Sequence, residues 1–521
     1  MKNSYKIKTI AALLTVSVFS SCTNDFDELN TNKNTLTTDQ LDASLAGPAF
    51  LSAQYAGIHN GSYSSPGVDD QGTWGIATGI ISSTFVQYMN TGYSTDRNAF
   101  GSFGERGWLR FYTVAVPALN NAFIAAKDDA DATAILKIWK VFMYNQMTDH
   151  YGPIPYTEAG NGKAIVAYDT QESIYEDFFK LLDEADATLS ATSTTTVGLY
   201  SISDRIFNGS VANWKIFGNS LRLRLALRIS DVQPDKAKTQ AEAAVAAGVM
   251  ESNAQSATFK VSDITPNNLN MIVNSWGYFM TASMESILKG YNDPRMEKWF
   301  APNADGIYLG KPAGGLQSQF GTTKFSPFSP ALAGDFQNTK AIEIMMASEC
   351  YLNRAEGALN GWNMDGNAKS LYETGITLSM NQWGITDGTA ISSYIAGTTT
   401  PVVPAITTLY PSLDLYTPPV SIAVSWAGTE ADQRKQITVQ KYLALFPESW
   451  ETWADLRRTD VNVVYPLLNT DNVDANVGKS LMKRVIYVTN EYSSNNSSVI
   501  DGIVKLGGPD SGGTRLWWDV K

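Results

Sequence analysis

Segment after segment of this chain spaces its apolar residues three and four apart, the period of an amphipathic helix rather than the alternation of a strand. "LDASLAGPAFLSAQYAGI" (41–58), "VPALNNAFIAAKDDADATAILKIWKVFMYNQMTDHYG" (116–152) and "QESIYEDFFKLLDEADATL" (171–189) show it. So do "DKAKTQAEAAVAAGVM" (235–250), "EIMMASECYLNRAEGALNGW" (343–362) and "QKYLALFPESWETWADLRRTD" (440–460). Gly152, Gly248 and Gly361 stand where three of these helices should stop. "LRLRLALRIS" (221–230) alternates like a strand. Its residues are strong helix formers, however, and Leu221, Leu225 and Ile229 share a helical face, so a helix is expected there. The expected fold is mainly α. Between the helices lie tracts rich in Gly, Ser, Thr, Pro and Asn, over 59–74, 91–107, 190–205, 301–340 and 384–430. Loops of that length in a compact domain are functional or ordered by packing. Paired helices of the tetratricopeptide kind are suggested without a strict repeat of about 34 residues.

The N-terminus reads differently. "MKNSYKIK" carries Lys2, Lys6 and Lys8 and no acid, and "TIAALLTVSVF" is an apolar run too short to span a bilayer. A basic start, a short apolar core and small residues before a cut describe an export signal. Phe19, Ser20 and Ser21 precede Cys22 in an arrangement that resembles a bacterial lipobox, in which the thiol is acylated and becomes the new N-terminus. Residues 1–21 are therefore expected to be a lipoprotein signal peptide and 22–521 the mature domain. Asp25, Asp27 and Glu28 then form an acidic leader of the kind that sends some lipoproteins to the cell exterior.

Composition narrows the function. A net charge of −12, more negative once the signal lysines are gone, argues against nucleic acid, which needs clustered Lys and Arg. The second of two cysteines, Cys350, has no partner once Cys22 is acylated, so stability rests on packing. "GGPDSGG" (507–513) offers Ser511 as a nucleophile, but neither histidine, His59 or His150, sits in a protease context, so a glycine-rich turn is the better reading. "GKS" (478–480) has Val473 where a phosphate loop needs its first glycine. "DNVDANVG" (471–478) has Val477 where a calcium loop needs one. The acid pairs Asp128–Asp129 and Asp183–Glu184 read as solvated helix faces. No cofactor, metal centre or catalytic residue is expected.

Several segments taken together carry a resemblance. "FDELNTNKN" (26–34), "MTDHYGPIPYTEA" (147–159), "WKIFGNSLRLRLALRIS" (214–230) and "NDPRMEKWF" (292–300) occur in order. "ASECYLNRAEGALNGW" (347–362), "QITVQKYLALFPESWETWADLRRTD" (436–460) and the tail from "RVIYVTNEYSSN" to "RLWWDVK" (484–521) follow. In this the chain resembles the SusD/RagB family of outer-membrane nutrient-binding lipoproteins, in its SusD-like branch. The resemblance implies tetratricopeptide-like helix pairs with long loops and few short strands. It also implies a lipid-anchored surface protein that is no enzyme, captures oligosaccharides or in some members peptides, and passes them to a SusC-like TonB-dependent transporter. A scaffold of the transporter complex without its own ligand is a further alternative.

The motifs themselves read as structural. Trp450 and Trp453 share a helical face, Arg222, Arg224 and Arg228 are placed for ion pairs between helices, and Arg457 and Arg458 are expected to pair with Glu349, Glu356 or Asp455. Trp517 and Trp518 are expected to anchor the tail, and the two prolines of "YGPIPY" (151–156) to fix an extended turn. Sugar binding needs flat aromatic faces ringed by hydrogen-bonding side chains. Loop aromatics in 69–108 and in "NMIVNSWGYFM" (270–280) supply them, with Tyr308 a third possibility, whereas Trp108 and Tyr88 read as core. The ligand-binding residues expected are Trp74, Asn274, Trp276 and Tyr278.

Overall fold

The computed structural model describes residues 40–58, 81–90, 97–98, 103–263, 265–267, 269, 273, 277–334 and 339–521. The chain divides into a short unit, Met1–Asp42, and a body, Ala43–Lys521. The body is built on helices α1 (Ala46–Gly57), α2 (Val116–Ala125), α3 (Ala130–Tyr151), α4 (Gln171–Ala191), α5 (Val211–Arg228) and α6 (Pro234–Ala247). These continue with α7 (Ala282–Gly290), α8 (Ala347–Leu359), α9 (Ala368–Gln382), α10 (Glu430–Ala444), α11 (Ser449–Thr459) and α12 (Asn496–Leu506). Helices α3 and α4, α5 and α6, α8 and α9, and α10 and α11 pack as sequential pairs. The pairs stack through α4 on α5, α5 on α8 and α8 on α10. This is the tetratricopeptide-like scaffold that the periodicity and the resemblance predict.

Local chemistry sets the helix ends. Asp129, Thr170, Ser210, Thr281, Asn367 and Thr429 each accept a backbone N–H of the first turn that has no partner within the helix. Asp129 does so in the middle of the segment 116–152, which therefore forms two helices and not one. The ends expected at Gly152 (φ 84°), Gly248 (φ 103°) and Gly361 (φ 73°) are present, each glycine taking a φ that L side chains resist. Pro447, lacking an N–H, separates α10 from α11 within 440–460. The segment expected to be helical from 343 begins instead as a strand. Ile342–Met345 pairs antiparallel with Ala257–Phe259, burying Ile342 and Ile344 on one side.

The arginines of 222–228 behave as read. Arg224 donates to both oxygens of Glu349 at 2.7 and 2.6 Å, Arg228 reaches Glu451 at 2.6 Å, and Arg222 pairs with Asp183 at 2.5 Å. Arg458 holds Glu356 at 2.6 and 2.7 Å and Asp455 at 2.8 Å. Buried charge is tolerable only when paired in this way. Arg457 corrects the expectation. Its guanidinium donates to the backbone carbonyls of Trp453, Lys483 and Asp149 and stacks on the Trp453 ring. Three carbonyls converge on that position, and the carboxylates named for it are engaged elsewhere.

The "DHYGPIPY" motif is a packing hub. Asp149 accepts from Tyr175 at 2.7 Å, Trp518 at 2.9 Å and Asn145 at 2.9 Å. The His150 ring lies 3.3 Å, centroid to centroid, from Trp450. The carbonyls of Pro153 and Pro155 accept from Tyr487 and Tyr112. Trp518 is fully buried, and the Trp517 backbone N–H donates to the Gln171 side-chain oxygen at 3.1 Å. The tail is thus stitched to α3 and α4, as expected of the two tryptophans. Trp108 and Tyr88 are core, also as expected.

Candidate functional site

The described parts of three loop tracts singled out in the sequence come together in one layer. Asn90 and Phe279 exchange backbone hydrogen bonds at 3.2 and 2.9 Å, which ties the first tract to the second. Lys311 donates its N–H to the Met280 carbonyl at 2.7 Å, and Ala282 donates to the Lys311 carbonyl at 2.9 Å, which adds the Tyr308 tract. Gly310 permits this crossing, because a Cβ there would lie 2.6 Å from the Thr281 carbonyl carbon. A small apolar cluster of Leu309, Phe320, Phe325, Ile406, Leu413, Leu415 and Tyr465 holds the layer from beneath. The described parts of these tracts, around residues 81–90, 277–282 and 308–325, are therefore held by packing.

A cleft of about 360 Å³ opens in this layer, between the C-terminal end of α11, the segment 460–467 and the segment 479–483. Its floor is apolar, with Phe85, Leu456, Val463 and Met482, and its rim polar, with Asn98, Asn462, Ser480, Lys483 and Arg515. Three of its lining residues, Gln87 (φ 54°), Asn98 (φ 60°) and Asp460 (φ 52°), hold left-handed backbone without being glycine. Backbone strain of this kind persists only where surroundings enforce it, and it gathers at functional sites. Here the surroundings are visible. The Gln87 carboxamide donates to the Tyr465 carbonyl at 2.5 Å and accepts from Ser283 at 2.6 Å, while Asn98 donates to the Ser480 carbonyl at 3.3 Å. Arg97 ties the same segment to Asp471 at 2.6 Å.

On the rim, Lys483 lies 3.6 Å from Asp519 and 3.8 Å from Asp460, and Arg515 meets Asp519 at 2.6 Å. Burial pushes the Lys483 ammonium below its ordinary value, and Asp519 partly restores it. An apolar floor beneath directional donors and acceptors suits a ligand with one apolar and one hydroxylated side. Among the described residues no group of His, Cys, Asp and Glu is arranged to hold a metal.

Of the residues expected to bind ligand, Trp74, Asn274 and Trp276 lie outside the described residues, as does the lipidation candidate Cys22. Tyr278 is described, and it is 1% exposed within the main core, so its ring presents no open face. Tyr308 is half-buried, and the described cleft wall supplies no open aromatic face of its own. Sequence reasoning missed the segment 460–467. Its "VNVVY" run (461–465), rich in β-branched valine and ended by Pro466, was the available signal that the helix stops and a wall of another kind begins.

Comparison with known proteins follows the same lines. The family model SusD-like, described as Susd and RagB outer membrane lipoprotein, matches residues 28–519. Among solved structures, a chitin-binding SusD homologue from Flavobacterium johnsoniae is 32% identical with a TM-score of 0.82, covering 91% of this chain and 99% of that one. A SusD-like protein from Bacteroides thetaiotaomicron is 27% identical with a TM-score of 0.79, over 91% and 99%. A SusD homologue from Bacteroides vulgatus is 26% identical with a TM-score of 0.81, over 91% and 97%. No curated protein matches the chain.

Proposed function

The chain belongs to the SusD-like family of outer membrane lipoproteins, and from that premise we propose that it captures an oligosaccharide at the cell surface and hands it to a SusC-like TonB-dependent transporter. SusD-like proteins are binding proteins, and this reading assigns the chain no catalysis. The observation that carries it is the full-length likeness to a chitin-binding homologue, at 32% identity and a TM-score of 0.82. The meeting of the described parts of the three tracts, at Asn90, Phe279 and Lys311, supports it. In this reading residues 1–21 are removed, Cys22 carries the lipid, and the chain is held on the membrane by that anchor. No described helix is long and apolar enough to cross a bilayer.

Trp74 and Trp276 are the proposed platforms, with Asn274 for hydroxyls. Tyr278, buried in the core, serves by packing rather than by contact with ligand. Capture by a few stacked rings and exposed hydrogen bonds should be modest per site, since water competes for each. The test is a fluorescence titration of the purified full chain with hexaoses of N-acetylglucosamine, glucose and xylose and with a peptide pool. Saturation by one glycan class supports the reading and names the ligand. Saturation by peptides alone moves it to the peptide-binding members of the family, and silence throughout removes it.

A further inference from the structure

A second open cleft, of about 440 Å³, shares no lining residue with the one in the loop layer. It lies where the helix pairs end: at the turn from α5 to α6, the C-terminal ends of α8 and α11, the first turn of α10, and Lys521. Trp362 forms one wall. The Trp362 N–H donates to the Gly357 carbonyl at 3.0 Å, and the next amide, of Asn363, donates to Glu242 at 2.8 Å, which fixes the segment. Gly357 leaves room on α8 chiefly for Met364, whose Sδ would lie 2.6 Å from a Cβ there, and the indole lies beside it with Cε3 at 3.2 Å. The ring stays half-buried, and no aromatic ring among the described residues packs on it.

The charges around this cleft cancel in pairs. Lys521 meets Asp231 at 2.8 Å, Arg434 meets Glu430 at 2.7 Å, and on the floor Arg458 meets Glu356 at 2.6 Å. An ionised ligand therefore finds no uncompensated side-chain charge of opposite sign among these pairs. What remains on offer is a flat indole, the carboxamide of Asn360, and the outward lone pairs and N–H groups of exposed Asp231 and half-buried Arg434. That set suits a neutral polyhydroxylated ring, one face on the indole and its hydroxyls turned to the rim.

We propose that this cleft is a second binding site for a neutral oligosaccharide, with Trp362 as platform and Asn360, Asp231 and Arg434 as hydroxyl partners. The inference rests on the glycan-capture reading and extends it. Two separated sites on one chain grip a polymer more tightly than either alone, because binding at the second becomes intramolecular.

Calorimetric titration of the full chain with the same hexaoses tests it. Two sites per chain are expected. Trp362→Ala and, separately, Arg434→Ala should each weaken one of them at least 10-fold and leave the other unchanged. Arg434 pairs on the surface, so its replacement keeps the fold even if that of Trp362 does not. A single site, untouched by both variants and removed by Trp276→Ala, overturns this inference and leaves the loop-layer reading standing. A single site removed by Trp362→Ala but not by Trp74→Ala or Trp276→Ala does the reverse. Binding of peptides in place of sugars at this cleft overturns the ligand class, and no saturation by any hexaose overturns both readings.

Discussion

Replacing Glu349 by leucine should show what holds the helix pairs in register. Glu349 is fully buried on α8, and both of its oxygens take hydrogen bonds from Arg224 on α5. Removing one partner of such a pair costs about 3–5 kcal/mol, because the other charge stays buried without compensation. Arg224 keeps one further carboxylate, Glu451 at 3.6 Å, but that group already serves Arg228 at 2.6 Å. The cost should therefore fall near the low end, about 3 kcal/mol, or roughly two powers of ten in the folding equilibrium. Equilibrium urea unfolding, followed by tryptophan fluorescence and far-UV circular dichroism at constant slope, measures it. Adding Arg224→Met should restore most of the loss, since an apolar pair of similar volume removes the stranded charge. A cost under about 1 kcal/mol for Glu349→Leu alone, or a double variant no better than the single, would refute the reasoning.

Other outcomes follow from the same contacts. Trp518→Ala removes a fully buried indole that donates to Asp149 at 2.9 Å and lies against the guanidinium groups of Arg228 and Arg457, and it should cost about 3–5 kcal/mol in the same unfolding assay. Burial raises the Glu448 carboxyl from 4.5 to about 8, with Arg224 opposing the shift. The stability this neutral acid contributes is complete below pH 4.5 and is lost as pH rises through about 8, because the folded state binds the extra proton. Glu448→Gln cannot ionise, so melting scans from about pH 5 to about pH 9 should show the variant gaining on the wild type as pH rises. Cys22→Ser should abolish incorporation of labelled fatty acid and release the protein from the membrane fraction. Unchanged labelling would remove the anchor from the account.

Helices were legible wherever apolar residues kept the 3.6 period, even in "LRLRLALRIS", where alternation of Leu and Arg imitated a strand. There the arginines, not the leucines, carried the ambiguity, and each one found a carboxylate or carboxamide on a neighbouring helix. Arg457 shows the limit of such reasoning. Its partners are carbonyls contributed by distant backbone, which no side-chain pattern announces. The strand at Ile342–Met345 was hidden because "EIMM" abuts a true helix start and fits either period. At the candidate site, sequence could name the tracts that meet but not which rings face out. Tyr278 follows a glycine in an open-looking segment and is nonetheless buried, since the bridges at residues 279 and 281 fold it inward. Exposure of a loop aromatic is set by the strands and loops that cross it, and those are long-range.

The central claim is capture of a glycan by the loop layer, and titration of N-acetylglucosamine hexaose into the wild type, Trp74→Ala, Trp276→Ala and Tyr278→Ala tests it most directly. Loss of an anchoring aromatic should weaken binding by about 2 kcal/mol, roughly 30-fold in Kd, for Trp74→Ala or Trp276→Ala, with melting unchanged. Tyr278→Ala should instead lower the melting temperature, as a core residue does. Wild-type binding that both tryptophan variants retain in full, or variants that lose binding only by unfolding, would contradict the account.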